Sequence, residues 1–187
     1  YVADKLGDDT ARRQGRLTLN PLRHLDLWGS VLLIFVGFGW AKPVPVDPRR
    51  FRHPKRDMAI TAAAGPISNI IMATVLLTVF KILYYTSFTG SGRFYLLLSI
   101  LEIVIIVNLG LAVFNLLPIP PLDGSKLLGA ILPDRIYDRI ARYDRIIMLA
   151  LFALLWTGML SLPLSFLRNQ LLTLLDLITR PIDILFA

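Results

Sequence analysis

One ionisable side chain stands where the backbone of an apolar chain has to open. The stretch Asn115-Leu116-Leu117-Pro118-Ile119-Pro120-Pro121-Leu122-Asp123-Gly124 closes a long hydrophobic run with three prolines and a single carboxylate. Proline breaks a helix and cannot donate a ladder hydrogen bond, so the backbone opens here at or near membrane depth. A carboxylate in such a place is costly unless it faces a polar cavity, a partner or a metal, which makes Asp123 a candidate functional-site residue. The plainer alternative is turn chemistry, with Asp123 or Ser125 capping a short helix through residues 126–132.

The rest of the chain reads as a scaffold for that carboxylate. With 187 residues, 55% hydrophobic content and a mean hydropathy of +0.63, it is too apolar for a soluble domain and about the length of one membrane-embedded domain, taken as 1–187. The fold expected is all-α and polytopic, with about three transmembrane helices, a re-entrant or β-hairpin segment and interfacial helices. There is no cysteine, so disulfides and thiolate metal sites are excluded. A net charge of +7 would suggest nucleic acid in a soluble chain, but here the basic residues lie in loops between apolar runs, so the pattern is topological. The opening at Tyr1 is polar, without an initiator Met or the apolar core of a signal peptide, and residues are expected to precede it.

Taken in order, residues 1–27 are polar, with a short strand expected at 16–19 before the turn at Asn20-Pro21. His24, beside Asp26, reads as a hydrogen-bonded interfacial residue. Residues 27–41 are apolar for only fifteen positions, roughly 22 Å as a helix against a core of roughly 30 Å, so the segment dips into the membrane and returns. Gly37, Gly39, Trp40, Pro43 and Pro45 favour an extended return. An edge strand over 40–46, including Trp40 and Val44, could accept an extended peptide by strand addition, or could be a merely structural hairpin.

The basic loop 47–57 holds His53 and five cations and reads as a membrane flank in contact with anionic lipid. Residues 58–80 then give the first full span. Its small residues around Gly65 allow a neighbouring helix to come close, and Asn69 suits an interhelical hydrogen bond. After a polar link near 84–93 comes a run from Phe94 to Leu122 with one charge, Glu102. Residues 134–145 alternate charge with Ile136, Ile140 and Tyr143 as an interfacial amphipathic helix. Residues 146–167 form a third expected span, and the tail after 167 is expected on or partly in the membrane surface.

The ten residues 115–124 resemble, position for position, the Asn-x-x-Pro-x-Pro-x-Leu-Asp-Gly segment of the site-2 proteases, the intramembrane zinc metalloproteases. The Gly65-x-x-x-Asn69 spacing resembles a second motif of that family, whose asparagine lies near the active site. The opening Tyr1-Val2-Ala3-Asp4-Lys5-Leu6-Gly7-Asp8 resembles the segment directly after the His-Glu-x-x-His helix in small bacterial members. Leu19-Asn20-Pro21 and Leu25-Asp26 fit as well, with a departure at Leu27, where those relatives usually carry proline.

The resemblance implies hydrolysis of peptide bonds within transmembrane segments, at a zinc held by the two histidines of that helix and by Asp123. The helix's glutamate would activate the metal-bound water. It implies that Asn115 positions substrate or stabilises the developing oxyanion, where a packing role for the amide is the plainer reading. Asn69, Trp40 and Val44 are the residues expected to meet substrate. The expected partners are a transmembrane protein substrate and the lipid bilayer, with self-association left open and no nucleic acid, in a multi-pass protein of the cell membrane.

No His-Glu-x-x-His occurs in these residues. The histidines are His24 and His53, and the glutamate is Glu102 alone, so the chain as it stands does not build the whole site. The missing helix is expected just upstream of Tyr1. A noncatalytic membrane protein of the same fold, or a small transporter whose broken helix lines a permeation path, is the alternative.

Charge sets the orientation. Lys and Arg number five in 1–27, six in 41–57 and five in 118–145, against one in 86–93 and two after 167. The rich segments are expected on the cytoplasmic side. Because the chain has no native cysteine, single-cysteine reporters are clean. Residues 48–55 should label from the cytoplasmic side and residues 87–92 from the other, and labelling of both from one side would overturn this topology.

Overall fold

The computed structural model describes residues 1–36, 39–86 and 92–186. Helices account for nearly all its regular structure, and no strand forms among the described residues. The chain divides into two compact units, Tyr1–Thr61 and Ala62–Ala187.

The first unit holds the short helices α1 (Val2–Lys5) and α2 (Thr10–Arg13), 3-10 turns at Pro21–Arg23 and Pro48–Arg50, and helix α3 (Leu27–Val36). Its polar centre is Asp8, which is fully buried. The carboxylate accepts the Thr10 hydroxyl, the Thr10 amide at 3.0 Å and the Asp47 amide at 2.8 Å, tying the start of the chain to the loop 39 residues later. Burial alone would raise this carboxyl. The bonds from Thr10 and Asp47, with Arg50 nearby, outweigh burial and hold it below the usual carboxylate range.

Helix α3 has ten residues, too few to span a membrane, and residues 39–47 form no regular element apart from a bridge at Ala41; Gly37 and Phe38 lie outside the described residues. A side chain at Gly29 would strike the Trp40 backbone, and one at Gly39 would strike the Gly29 carbonyl, so the two limbs meet closely because both positions are glycine. The hairpin itself shrinks to one antiparallel bridge, Leu25 to Ala41, beside a bond from the Lys42 amide to the His24 carbonyl at 2.8 Å. Pro43 and Pro45 lack the donors to extend it. Nor does a strand form at 16–19, where the chain bends and Leu17 and Leu19 are exposed, with no neighbouring strand to pair with.

Helix α4 (Pro54–Thr86) begins in the first unit and runs through the second, which adds α5 (Gly92–Leu116), α6 (Asp123–Ile131), α7 (Asp134–Ala141), α8 (Asp144–Trp156) and α9 (Ser161–Phe186). By length and composition α4 and α5 can each cross a membrane, as expected; α4 is longer than the span read over 58–80, and α5 stops at Leu116, short of the end of the run read to Leu122. Residues 87–91 of the expected polar link lie outside the described residues. Ala73 and Leu77 of α4, Ile105 and Leu109 of α5 and Leu175 of α9 form the core. Opposite it, Ile67, Ile71 and Val75 on α4 and Ile100, Ile103 and Val107 on α5 leave apolar stripes exposed at helical spacing, as lipid-facing surfaces do.

One expectation is corrected here. The third span over 146–167 is not one helix: α8 ends at Trp156, and the chain bends by 85° before α9. Gly158 turns with φ +72°, and Pro163 would clash with a continuous preceding turn, so its ring is accommodated near the start of a new helix. The tail, expected on or partly in the membrane surface, is helical in α9 and packs against the core, with Leu175 and Thr179 buried. What brings it inward is Lys81, a cation one residue past the charge-free stretch read as the first span. Lys81 is 8% exposed, and its ammonium meets Asp183 at 2.6 Å and Asp176 at 2.8 Å on α9. Tyr85 also donates to Asp183 at 3.2 Å.

Removing one partner from a buried ion pair leaves the others uncompensated, at about 3–5 kcal/mol when fully buried. Since Asp176 is mostly exposed, Lys81→Met should destabilise the protein by about 2 kcal/mol. Denaturant titration in detergent micelles checks this, and an unchanged midpoint would mean that the contact does not hold α9.

Candidate metal-ligating site

Helix α5 ends at Leu116, where the prolines withdraw the donors that would continue it. Tight turns replace them: the Leu117 amide donates to Phe114 at 3.1 Å, Ile119 to Leu117 at 2.8 Å and Leu122 to Ile119 at 2.9 Å, and the Pro120-Pro121 peptide is cis. Helix α6 then starts with Leu122 as its N-cap and Asp123 in its first turn.

Asp123 is not a helix cap. No side chain caps α6, and Ser125 turns its hydroxyl back to the Leu122 carbonyl at 2.7 Å. The Asp123 side chain is 31% exposed, and its Oδ1 receives the Lys126 ammonium at 2.9 Å. Spacing of i, i+3 on a helix allows that pair, which sequence reasoning missed although the spacing was there to be read. The ion pair also offsets part of the desolvation that makes a carboxylate at this depth costly. Oδ2 lies on the other side, and a Cβ built at Gly65 of α4 would stand 3.4 Å from it. Gly65, expected to admit a neighbouring helix, lies beside the carboxylate at the start of α6. One residue later Pro66, fully buried within α4, has no N–H for the Ala62 carbonyl, so the helix facing Asp123 is itself interrupted in its hydrogen bonding.

Gly124 fixes how α6 leaves the break. A side chain there would run into the carbonyl oxygens of Leu116 and Leu117, so α6 lies against the last turn of α5 only because this residue has no Cβ. At the other end of α6, Gly129 lets the Tyr137 ring of α7 pack against the helix.

Among the remaining residues singled out from sequence, Asn115 is half-buried and donates its amide to Leu111 of its own helix at 2.9 Å. Asn69 is half-buried one turn beyond Gly65 on α4. Trp40 and Val44 belong to the first unit and are 49% and 48% exposed within residues 39–47. Glu102 borders a small apolar cavity of about 150 Å³ with Leu77, Phe80, Ile105, Ile106 and Leu172. The ring of His24 is bonded to the Thr18 carbonyl at 2.8 Å. The structure thus brings Asp123, Lys126 and Gly65 together. Among the described residues, no three His, Cys, Asp or Glu side chains converge as a metal would require.

Residues 83–158 match the sequence profile described as "Peptidase family M50". The chain is 41% identical over 162 residues to "Putative zinc metalloprotease YwhC" of Bacillus subtilis (strain 168), covering 81% of this chain and 71% of that protein. It is 30% identical over 132 residues to "Putative zinc metalloprotease Rip2" of Mycolicibacterium smegmatis, covering 68% of this chain and 49% of the relative. No solved structure matches.

The two glycines at the site should differ in cost. Gly124→Ala forces backbone apart and should destabilise by about 1–3 kcal/mol. Gly65→Ala meets only a side chain at van der Waals distance and gains roughly 0.5–1 kcal/mol of helix propensity, so it should be near neutral. Unfolding of both variants in micelles tests this, and equal stabilities would contradict the packing described.

Proposed function

The chain belongs to peptidase family M50, the site-2 proteases, and from that premise we propose that it forms the larger part of an intramembrane zinc metalloprotease of the cell membrane. Its substrate would be a transmembrane segment of another protein. The observation that carries this reading is Asp123: a carboxylate presented at a break between helices, capping nothing, with one oxygen held by Lys126 and the other over a glycine.

The donor set fits one corner of a zinc site and not the whole of it. Three protein ligands are usual for catalytic zinc, and the described residues bring one carboxylate. Asp123 is proposed as that single ligand, with the others from a His-Glu-x-x-His helix outside these 187 residues. Zinc, when bound, supplies Lewis acidity at a carbonyl oxygen. This chain's own residues have simpler tasks. Lys126 orients the carboxylate by fixing Oδ1. Asn115 spends one amide N–H on Leu111, and its second N–H is available to a substrate carbonyl. Residues 39–47, with Trp40 and Val44 exposed, offer backbone groups to an unwound peptide, a recognition mode that reads backbone in preference to sequence. Asn69 is proposed as a further substrate contact.

The Lys126 ion pair favours a second reading, a noncatalytic protein of the same fold in which the ammonium neutralises Asp123. Zinc content and cleavage of a transmembrane substrate, measured on the full-length gene product, separate the two. Asp123→Asn should lose the metal and at least 100-fold of activity while remaining folded in the membrane, and Lys126→Gln should keep the metal. Undiminished zinc and cleavage in Asp123→Asn would exclude Asp123 as a ligand; a parent protein with neither would establish the noncatalytic reading.

A further inference from the structure

The first unit contains a cavity of about 240 Å³ lined by Lys5, Leu6, Arg52, His53, Arg56 and Asp57. Its cations come from the end of α1 and from the loop entering α4, segments almost fifty residues apart that the fold brings to one wall. The acidic side chains nearby are committed elsewhere. Asp4 holds Arg12 at 2.7 Å, Asp8 is spent on Thr10 and Asp47, and Asp9 pairs with Arg13 and Arg50.

Asp57, the carboxylate in the wall, is 2% exposed. It accepts the His53 amide at 2.9 Å and lies 3.7 Å from Arg56 Nε, so it fixes the loop at the start of α4. Three permanent cations against this one carboxylate leave the cavity positive even with a neutral imidazole. The N-terminal end of a 33-residue helix adds to the same sign.

We infer that this cavity binds a phosphate-bearing anion. Guanidinium groups match phosphate oxygens as forks, and the lysine adds a point charge. The volume falls below the roughly 300–1,000 Å³ of pockets for drug-sized ligands, so it suits a headgroup or a free phosphate. The cavity sits where α4 passes from a basic loop into an apolar span, the level at which anionic headgroups meet a juxtamembrane polybasic segment. Its lining residues do not include Asp123, and the proposal stands whether or not the chain is a protease.

The test uses the full-length protein in phosphatidylcholine nanodiscs titrated with inorganic phosphate, and in nanodiscs that also contain phosphatidic acid. Saturable binding in the first arm assigns a free phosphate compound, and saturable binding only in the second assigns a lipid headgroup. In either case Arg52→Gln/Arg56→Gln should weaken binding at least tenfold and Lys5→Gln about threefold. Arg135→Gln/Arg139→Gln, which removes equal charge elsewhere, should change it less than twofold. Absence of saturable binding in both arms, equal weakening by the two double variants, or full affinity in Lys5→Gln overturns the proposal. Should the Arg52/Arg56 variant fail to fold, the Lys5→Gln result decides alone.

Discussion

A helix that ends at membrane depth leaves carbonyls without partners, and the junction of α5 and α6 depends on how that is handled. Leu116 and Leu117 face the backbone of Gly124, and a Cβ there would push the two helices apart. The prolines between them supply rigidity without demanding donors. Together these residues make a break narrow enough to keep α6 against α5 and open enough to turn Asp123 toward α4. Gly65 lies on the far side, where even a Cβ would meet Oδ2 only at van der Waals distance. The start of α6 is thus set by the backbone contact at Gly124, which is a stiffer constraint than side-chain packing alone.

Elsewhere the bundle is held by few buried groups. Much of the surface of α4 and α5 is apolar and exposed, which is stable only with hydrocarbon around it. In that solvent the hydrophobic effect does little to hold one helix to another, so packing and polar contacts carry the association. Ala73 allows α4 to meet Ile105 and Leu109, and the Lys81 ammonium binds two carboxylates of α9. The cation and the carboxylates each offset the other's desolvation. Alone, either would be drawn to the membrane surface.

Both polar constructions share a logic. Lys126 on Asp123 and Lys81 on Asp176 and Asp183 are ammonium–carboxylate pairs at the edges of apolar helices. They differ in what the carboxylate has left to offer. Asp183 is engaged on both oxygens, by Lys81 and Tyr85, whereas Asp123 meets Lys126 through Oδ1 while Oδ2 faces a glycine. Among the described residues Asp123 therefore keeps an oxygen without a hydrogen-bond or ion-pair partner, which Asp183 does not.

What the sequence determined by itself was whatever depends on local chemistry. Apolar runs long enough to cross a membrane, the opening of the backbone at Pro118–Pro121, the short apolar segment begun at Leu27 and the resemblance carried by residues 115–124 were all legible, because propensity, hydropathy and motif spacing act within a few residues. Tertiary structure decided the rest. The strand at 16–19 failed for lack of a partner strand, and the hairpin at 40–46 reduced to one bridge because its prolines cannot pair. The span at 146–167 divided at Gly158, whose positive φ belongs to a turn that hydropathy does not register. Lys81 and its aspartates stand about a hundred residues apart, and only folding brings them together. The Lys126 pair of Asp123 could be read from its i, i+3 spacing, but that the other oxygen faces α4 is a property of packing between helices, invisible in the order of residues along the chain.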